Sequence, residues 1–282
     1  MHFRPQSLVA IIFAVFMIYS SCFVTAMAHN FTPNESASFI SLADQIKSAL
    51  ASIDQSDQSN KTEIVNQARY ARMLLTDGVL KELDERNKRI AAELPKALES
   101  LQNLTTNDFK SGISMINDLL SEAISARIDP DQLNNKTVQA LAFATDVNTI
   151  LDDYNSAFNS TTTQMTDNMN MNMSMNADKM SYMTTVTKEE EIKNIDAFQR
   201  ALALTNIAVD RYNAQLKDAS NNTSAIGKAT EGLDRLIVSI ENKEDPSKVM
   251  GIIHGQIHPN LQIGFNLKLD QEVKQPAGNM SA

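Results

Sequence analysis

The sequence predicts an all-α protein, an antiparallel helical bundle, and does so on three observations. Only eight glycines and seven prolines interrupt 282 residues. Apolar residues recur mostly at spacings of three and four, the period of a helix that buries one face. Thr-x-x-Glu boxes head two of these runs, where the first free amides of a helix need side-chain acceptors.

The chain opens with Arg4, an uncharged run from Ser7 to Tyr19, and then Ala26-Met27-Ala28. That basic, apolar and small-residue order is the order of a secretory signal, with cleavage expected after Ala28. Two alternatives stay open. Leu8 to Ala28 is long enough to span a bilayer as an uncleaved anchor, and Ser20-Ser21-Cys22 reads as a lipoprotein acceptor. These are the expected routes to a membrane, so the protein is expected to be extracytoplasmic, secreted or attached to the cell surface. Cys22 is the single cysteine, so a chain starting at His29 has no thiol and no disulfide. The net charge of −9 disfavours nucleic acid and anionic membrane surfaces as partners.

Thr32-Pro33-Asn34-Glu35 is the first capping box, with Pro at the first helical position. Phe39, Leu42, Ile46, Leu50 and Ile53 line one face of the helix it opens. Asp54 to Lys61 is polar and predicts a loop. From Thr62 the stripe resumes through Ile64, Ala68, Leu75, Val79 and Leu83, and continues through Ile90, Leu94, Leu98 and Leu101. Pro95 lacks a donor and is expected to kink this stretch or to start a new helix. Residues 107–127 carry Ile113, Ile116, Leu120 and Ile124 on one side, and Asp129-Pro130 closes them. Residues 133–158 carry Val138, Leu141, Val147 and Ile150. A second box, Thr187-Lys188-Glu189-Glu190, is expected to open a helix through Ile192, Ile195, Phe198 and Leu202 to about Lys217. Shorter helices are expected near 224–241 and 247–258.

These elements divide the chain into a signal (1–28), a first helical half (29–158), a Met/Asn-rich flexible segment (159–186), a second helical half (187–258), and an extended arm with a disordered tail (259–282). "PKALESLQNL" (95–104) and "GKATEGLDRL" (227–236) agree at five of ten positions, which raises the possibility of two related halves. The arm is inferred from "LQIGFNLKL", 261–269. Leu261, Ile263, Phe265, Leu267 and Leu269 alternate there with polar or small residues, a period of two that predicts a strand lying along a helical groove or pairing with a second copy.

Residues 165–183, "MTDNMNMNMSMNADKMSYM", hold seven of the fourteen methionines. Thioether sulfur is a soft neutral ligand that selects Cu(I) over zinc, iron or magnesium. Met169, Met171, Met173 and Met175 are spaced by two, so an extended chain puts their sulfurs on one side, and Met165, Met180 and Met183 complete the set. The tract resembles the Met-rich segments of exported copper-handling proteins and of the ectodomains of high-affinity copper transporters. That resemblance implies Cu(I) capture or relay, copper as the cofactor, and a copper-handling or cell-envelope protein as partner. Read without the resemblance, a Met/Asn-rich tract with little charge is a disordered linker, and the protein is then a metal-free helical surface or adaptor glycoprotein with a spacer.

His254 and His258 in "IIHGQIHP" are four residues apart, so a helix would project both rings from one face as two metal ligands. His29, as the first residue after cleavage, has an amine and a ring nitrogen that chelate Cu(II). At that one position the chain resembles proteins with a copper histidine brace. Asn-x-Ser/Thr occurs at Asn30, Asn34, Asn60, Asn103, Asn135, Asn159, Asn172, Asn221, Asn222 and Asn279, against about four such triplets by chance, and marks these as glycosylation acceptors. There is no GxGxxG, GxxxxGK[ST] or GxSxG, and no Glu-x-x-His of a di-iron bundle, so no enzyme is expected. Asp152-Asp153 and Glu189-Glu190-Glu191 read as solvated helix ends.

Overall fold

The computed structural model describes residues 32–56, 60–103, 108–159 and 191–268. Among the described residues the regular structure is helical throughout. In chain order the elements are α1 (Pro33–Gln55), α2 (Lys61–Leu74), α3 (Asp77–Arg86), α4 (Lys88–Ser100), α5 (Phe109–Arg127), α6 (Pro130–Leu133), α7 (Lys136–Ala157), α8 (Ile195–Arg211), α9 (Thr223–Glu241), α10 (Pro246–Ile252) and α11 (His258–Phe265). Two π turns, Tyr212–Leu216 and Ile253–Ile257, prolong α8 and join α10 to α11. No described helix is long and apolar enough to cross a membrane.

Capping chemistry decides where most of these helices begin. Glu35 N–H donates to Thr32 Oγ1 at 3.3 Å while Thr32 N–H donates to Glu35 Oε2 at 2.7 Å, so the box at the head of α1 forms as expected. The stripe from Thr62 to Leu101 breaks at Thr76 and Asn87, whose side chains accept from Val79 N–H and Ile90 N–H and open new helices. Pro95 is different: it sits buried inside α4, so it does not start a new helix, and the new helices of this stretch start at capping residues instead. The Thr187 box lies outside the described residues. Residues 191–194 are not helical, and α8 starts only at Ile195, where Asn194 Oδ1 accepts from Ala197 N–H at 3.1 Å.

The apolar core falls into two clusters that share α7. One gathers α1 to α5, with Phe39, Ile46, Leu50, Leu83, Leu94 and Leu120, and takes Val138 and Ala142 from α7. The other sets Phe143, Val147 and Tyr154 of α7 against Leu204, Leu236, Ile257 and Leu261. Each fully buried Leu, Ile or Phe contributes about 1.5–3 kcal/mol of transfer free energy, so α7 is held from both sides. Gly232 lets α9 close on the second π turn, because a Cβ there would come 3.0 Å from Ile257 Cγ1. Helices α7 and α8 run antiparallel: Asp153 pairs with Arg200 near one end, and Lys136 donates to Gln215 near the other.

The expected strand at 261–269 is a helix as far as Phe265. Leu261 and Phe265 are four apart and share a helical face, Leu261 fully buried and Phe265 packed on the same cluster, while Ile263 turns outward and is 61% exposed. Asn266 takes a left-handed φ of 51°, ends α11, and brings Leu267 back onto the core with its N–H on Gln262 O at 3.1 Å. Period-two alternation over so few residues therefore came from a helix turn plus a left-handed cap. Leu269 lies outside the described residues.

Candidate functional site

Met165, Met169, Met171, Met173, Met175, Met180 and Met183, together with Cys22, His29, Asn30, Asn172 and Asn279, lie outside the described residues. What the structure does give is the base of the methionine tract. Lys193 N–H and Asn194 N–H both donate to Ala157 O, at 2.7 and 3.0 Å, so the last turn of α7 is bonded to the residues that lead into α8. Asn159, the last described residue before the tract, has a left-handed φ of 54°, and the described chain resumes at Glu191. The remaining described methionines are Met73, Met115 and Met250. Only Met250 is buried, at 4% exposure, whereas Met73 is 68% exposed. Methionine is thus hardly used to fill this core.

The two described histidines are brought together. His254 and His258 flank the π turn with ring centroids 5.3 Å apart in a T-shaped arrangement. His254 is exposed and His258 half-buried against α7. Burial and, after it, the neighbouring His254 push the His258 ring down to about 4, against an opposing pull from the Ala144 carbonyl. Burial also lowers His254. His258 Nε2 has no hydrogen-bond partner among the described residues. No three His, Cys, Asp or Glu side chains converge as a metal site among them.

The glycosylation triplets separate into kinds. Asn60, Asn135 and Asn222 are N-caps whose Oδ1 atoms accept from Glu63, Thr137 and Ala225 N–H. Helix starts therefore account for part of the excess of such triplets, since Asn is a preferred cap and Thr or Ser is readily placed in the first turn. Asn34, Asn159 and Asn221 are exposed, and Ser36, which completes the Asn34 triplet, is fully buried. Asn103 ends a short 3-10 turn after α4.

A feature the sequence reading missed runs between α1, α7 and α8. Ser41, Asp44, Gln45, Ser48 and Ser52 form a polar row on α1 that is buried throughout. Buried or half-buried polar residues also lie on the packed helices, Gln139, Asp146, Thr149 and Asp153 on α7 and Arg200, Thr205 and Arg211 on α8, and Arg211 reaches Asp44 of the row. At the end nearest the methionine tract the network is closed. Arg200 donates to Asp153 from Nη2 at 2.7 Å and Nε at 3.2 Å, reaches Gln67 Oε1 at 3.4 Å, and stacks 3.9 Å over Tyr70. Asp153 is 7% exposed, which corrects the expectation of a solvated helix end. Burial raises its carboxyl and Arg200 pulls it back, while burial pushes Tyr70 up to about 12, with the Asp153 charge adding to that rise.

At the other end Arg211 ion-pairs with Asp44 and donates to Gln139 Oε1 at 2.5 Å. Its Nε stands 3.5 Å from Asp146 Oδ2 with no hydrogen bond between them. Asp146 is 0% exposed, and neither of its oxygens has a hydrogen-bond partner among the described residues. Burial pushes its carboxyl up to about 7, with Ser41 and Lys47 pulling the other way. A signal for this seam was present in the sequence. Charged residues Asp44, Asp146, Asp153 and Arg211 stand within or beside apolar stripes, and the 41-45-48-52 row has the same helical period as a buried face. Read alone, that row passes for the solvent side of α1.

Comparison with family models, with curated proteins and with solved structures finds no match to this chain.

Proposed function

We propose that the chain is an exported helical protein that holds Cu(I) through Met165, Met169, Met171, Met173, Met175, Met180 and Met183, for storage, delivery or buffering. The observation that carries this reading is the bonded base of the tract. Packed antiparallel helices are joined by about two to eight residues, and connections longer than about 12–15 are uncommon and usually functional or disordered. Here α7 and α8 are already in contact and their ends hydrogen-bonded, yet 37 residues, 158–194, join them.

A spacer sets two bodies apart, and α7 and α8 need none. The surplus chain carries half of the protein's methionine, while the described core buries only Met250. Methionine there is not a habit of composition. Exposed thioether is vulnerable to oxidation, which makes seven together costly to keep as filler. Three thioethers around one Cu(I) ion is a low-charge, acid-tolerant site suited to an extracytoplasmic carrier.

The direct test replaces all seven methionines with leucine and measures Cu(I) competition against a chromogenic chelator. The intact protein should withdraw Cu(I) from the chelator, and the leucine protein should withdraw several-fold less, retaining at most one equivalent, with an unchanged far-UV circular dichroism spectrum. Equal competition by both proteins would overturn the assignment.

A further inference from the structure

We infer that His254 and His258 form a second, two-coordinate nitrogen site for Cu(I), built into the helical body and independent of the methionine tract. The rings already face one another, 5.3 Å apart and edge to face. Two imidazole nitrogens each about 2.0 Å from one ion lie within about 4 Å of each other. A centroid separation of 5.3 Å is compatible with that span, and His254 is the exposed ring of the two.

The second support is the state of His258. Its Nε2 is buried and has no hydrogen-bond partner, so a lone pair is left with no protein group to satisfy it. The Ala144 carbonyl lies where it draws the ring proton, so by elimination that contact falls to Nδ1. A backbone acceptor on one ring nitrogen is the usual way a ligand histidine is oriented, with its other nitrogen turned to the metal. The π turn Ile253–Ile257 lies between the two rings, and such turns often mark functional positions in helices.

The number of ligands selects the ion. Zinc takes four ligands, and no third His, Cys, Asp or Glu joins the pair among the described residues. Cu(I) is content with two nitrogens in line, and Ag(I) imitates it without redox chemistry. His254 is exposed to solvent and His258 is half-buried, so His254 is the ring open to an arriving ion.

The experiment titrates Ag(I) into the purified seven-leucine protein labelled with nitrogen-15, following the imidazole nitrogens of the four histidines by NMR. Working without the seven methionines keeps this test separate from the tract. The expected result is that His254 and His258 shift together and saturate at one equivalent, and that His254→Ala abolishes the change at His258. Absence of any shift at either ring would overturn the proposal. So would a His258 shift that persists in His254→Ala, because the ion would then not be shared. His254 is exposed, so its variant is expected to fold, and an unchanged amide spectrum checks this.

Discussion

Two connections in this molecule do the same topological work with very different lengths of chain. Helices α1 and α2 pack together and are joined by five residues, 56–60, whereas α7 and α8 pack together and are joined by 37. The short connection is within the usual length for packed helices. The long one has its two ends hydrogen-bonded at Ala157, so its length does not come from any distance to be bridged. What holds α7 to α8 is instead side-chain packing, through the apolar cluster that Phe143, Val147, Tyr154 and Leu204 share and through the buried seam, with Arg200 and Asp153 beside the base of the tract and Arg211, Asp44 and Asp146 farther along. The helices should therefore depend strongly on these side chains and little on the chain that links them.

The largest effect should come from the closed end of the seam. Arg200→Met keeps most of the volume but leaves the Asp153 carboxyl buried without its partner, and should cost about 3–5 kcal/mol in chemical denaturation. Adding Asp153→Leu should recover much of that loss, since two apolar residues leave no uncompensated charge. A cost under about 1 kcal/mol for Arg200→Met would mean that the seam does not hold α7 and α8.

Next in size is the Arg211 end, where the sign with pH is distinctive. The Asp146 carboxyl rises from 3.8 to about 7 on folding, so the native state binds the proton more tightly than the unfolded chain does. Stability from this group is complete below about pH 4, falls as pH rises toward 7, and is lost above it. Asp146→Asn should accordingly stabilise the protein at pH 8 by about 1–3 kcal/mol and do little at pH 4. Thermal melts of both proteins at the two values check this. An equal shift at both pH values would remove the proton linkage.

The smallest effect belongs to the long connection itself. Deleting residues 165–183 takes 19 of its 37 residues and halves the loop. Loop closure then becomes cheaper by about 0.6 kcal/mol, so the shortened protein should be as stable as the parent or slightly more so. A loss of more than about 2 kcal/mol would show that the tract packs on the body, and would return it to a structural role.

The helices were legible in the sequence wherever one face met the core and the other met water. Thr32 to Glu35, the Ile113-Ile116-Leu120 stripe and the run 224–241 were placed within a few residues for that reason. Helix α7 is enclosed on several sides, so its inward polar residues Gln139, Asp146 and Asp153 gave no apolar contrast to read. The polar row of α1 was hidden in the same way, because pairing across three helices is a tertiary fact. At 261–269 the alternation was real but too short to tell a strand from a helix with a left-handed cap. Of the candidate site, the pairing of His254 with His258 was visible as a spacing of four. The orphaned Nε2 and the joined ends of the methionine tract needed the fold.

The measurement that bears most directly on the account compares Cu(I) competition by the intact protein and by the protein lacking 165–183, with the stability of both recorded in the same buffers. Strong competition is expected from the first, a several-fold smaller capacity of at most one equivalent from the second, and stabilities within about 1 kcal/mol of each other. If both compete equally, or neither does, the surplus chain between α7 and α8 does not exist to hold Cu(I).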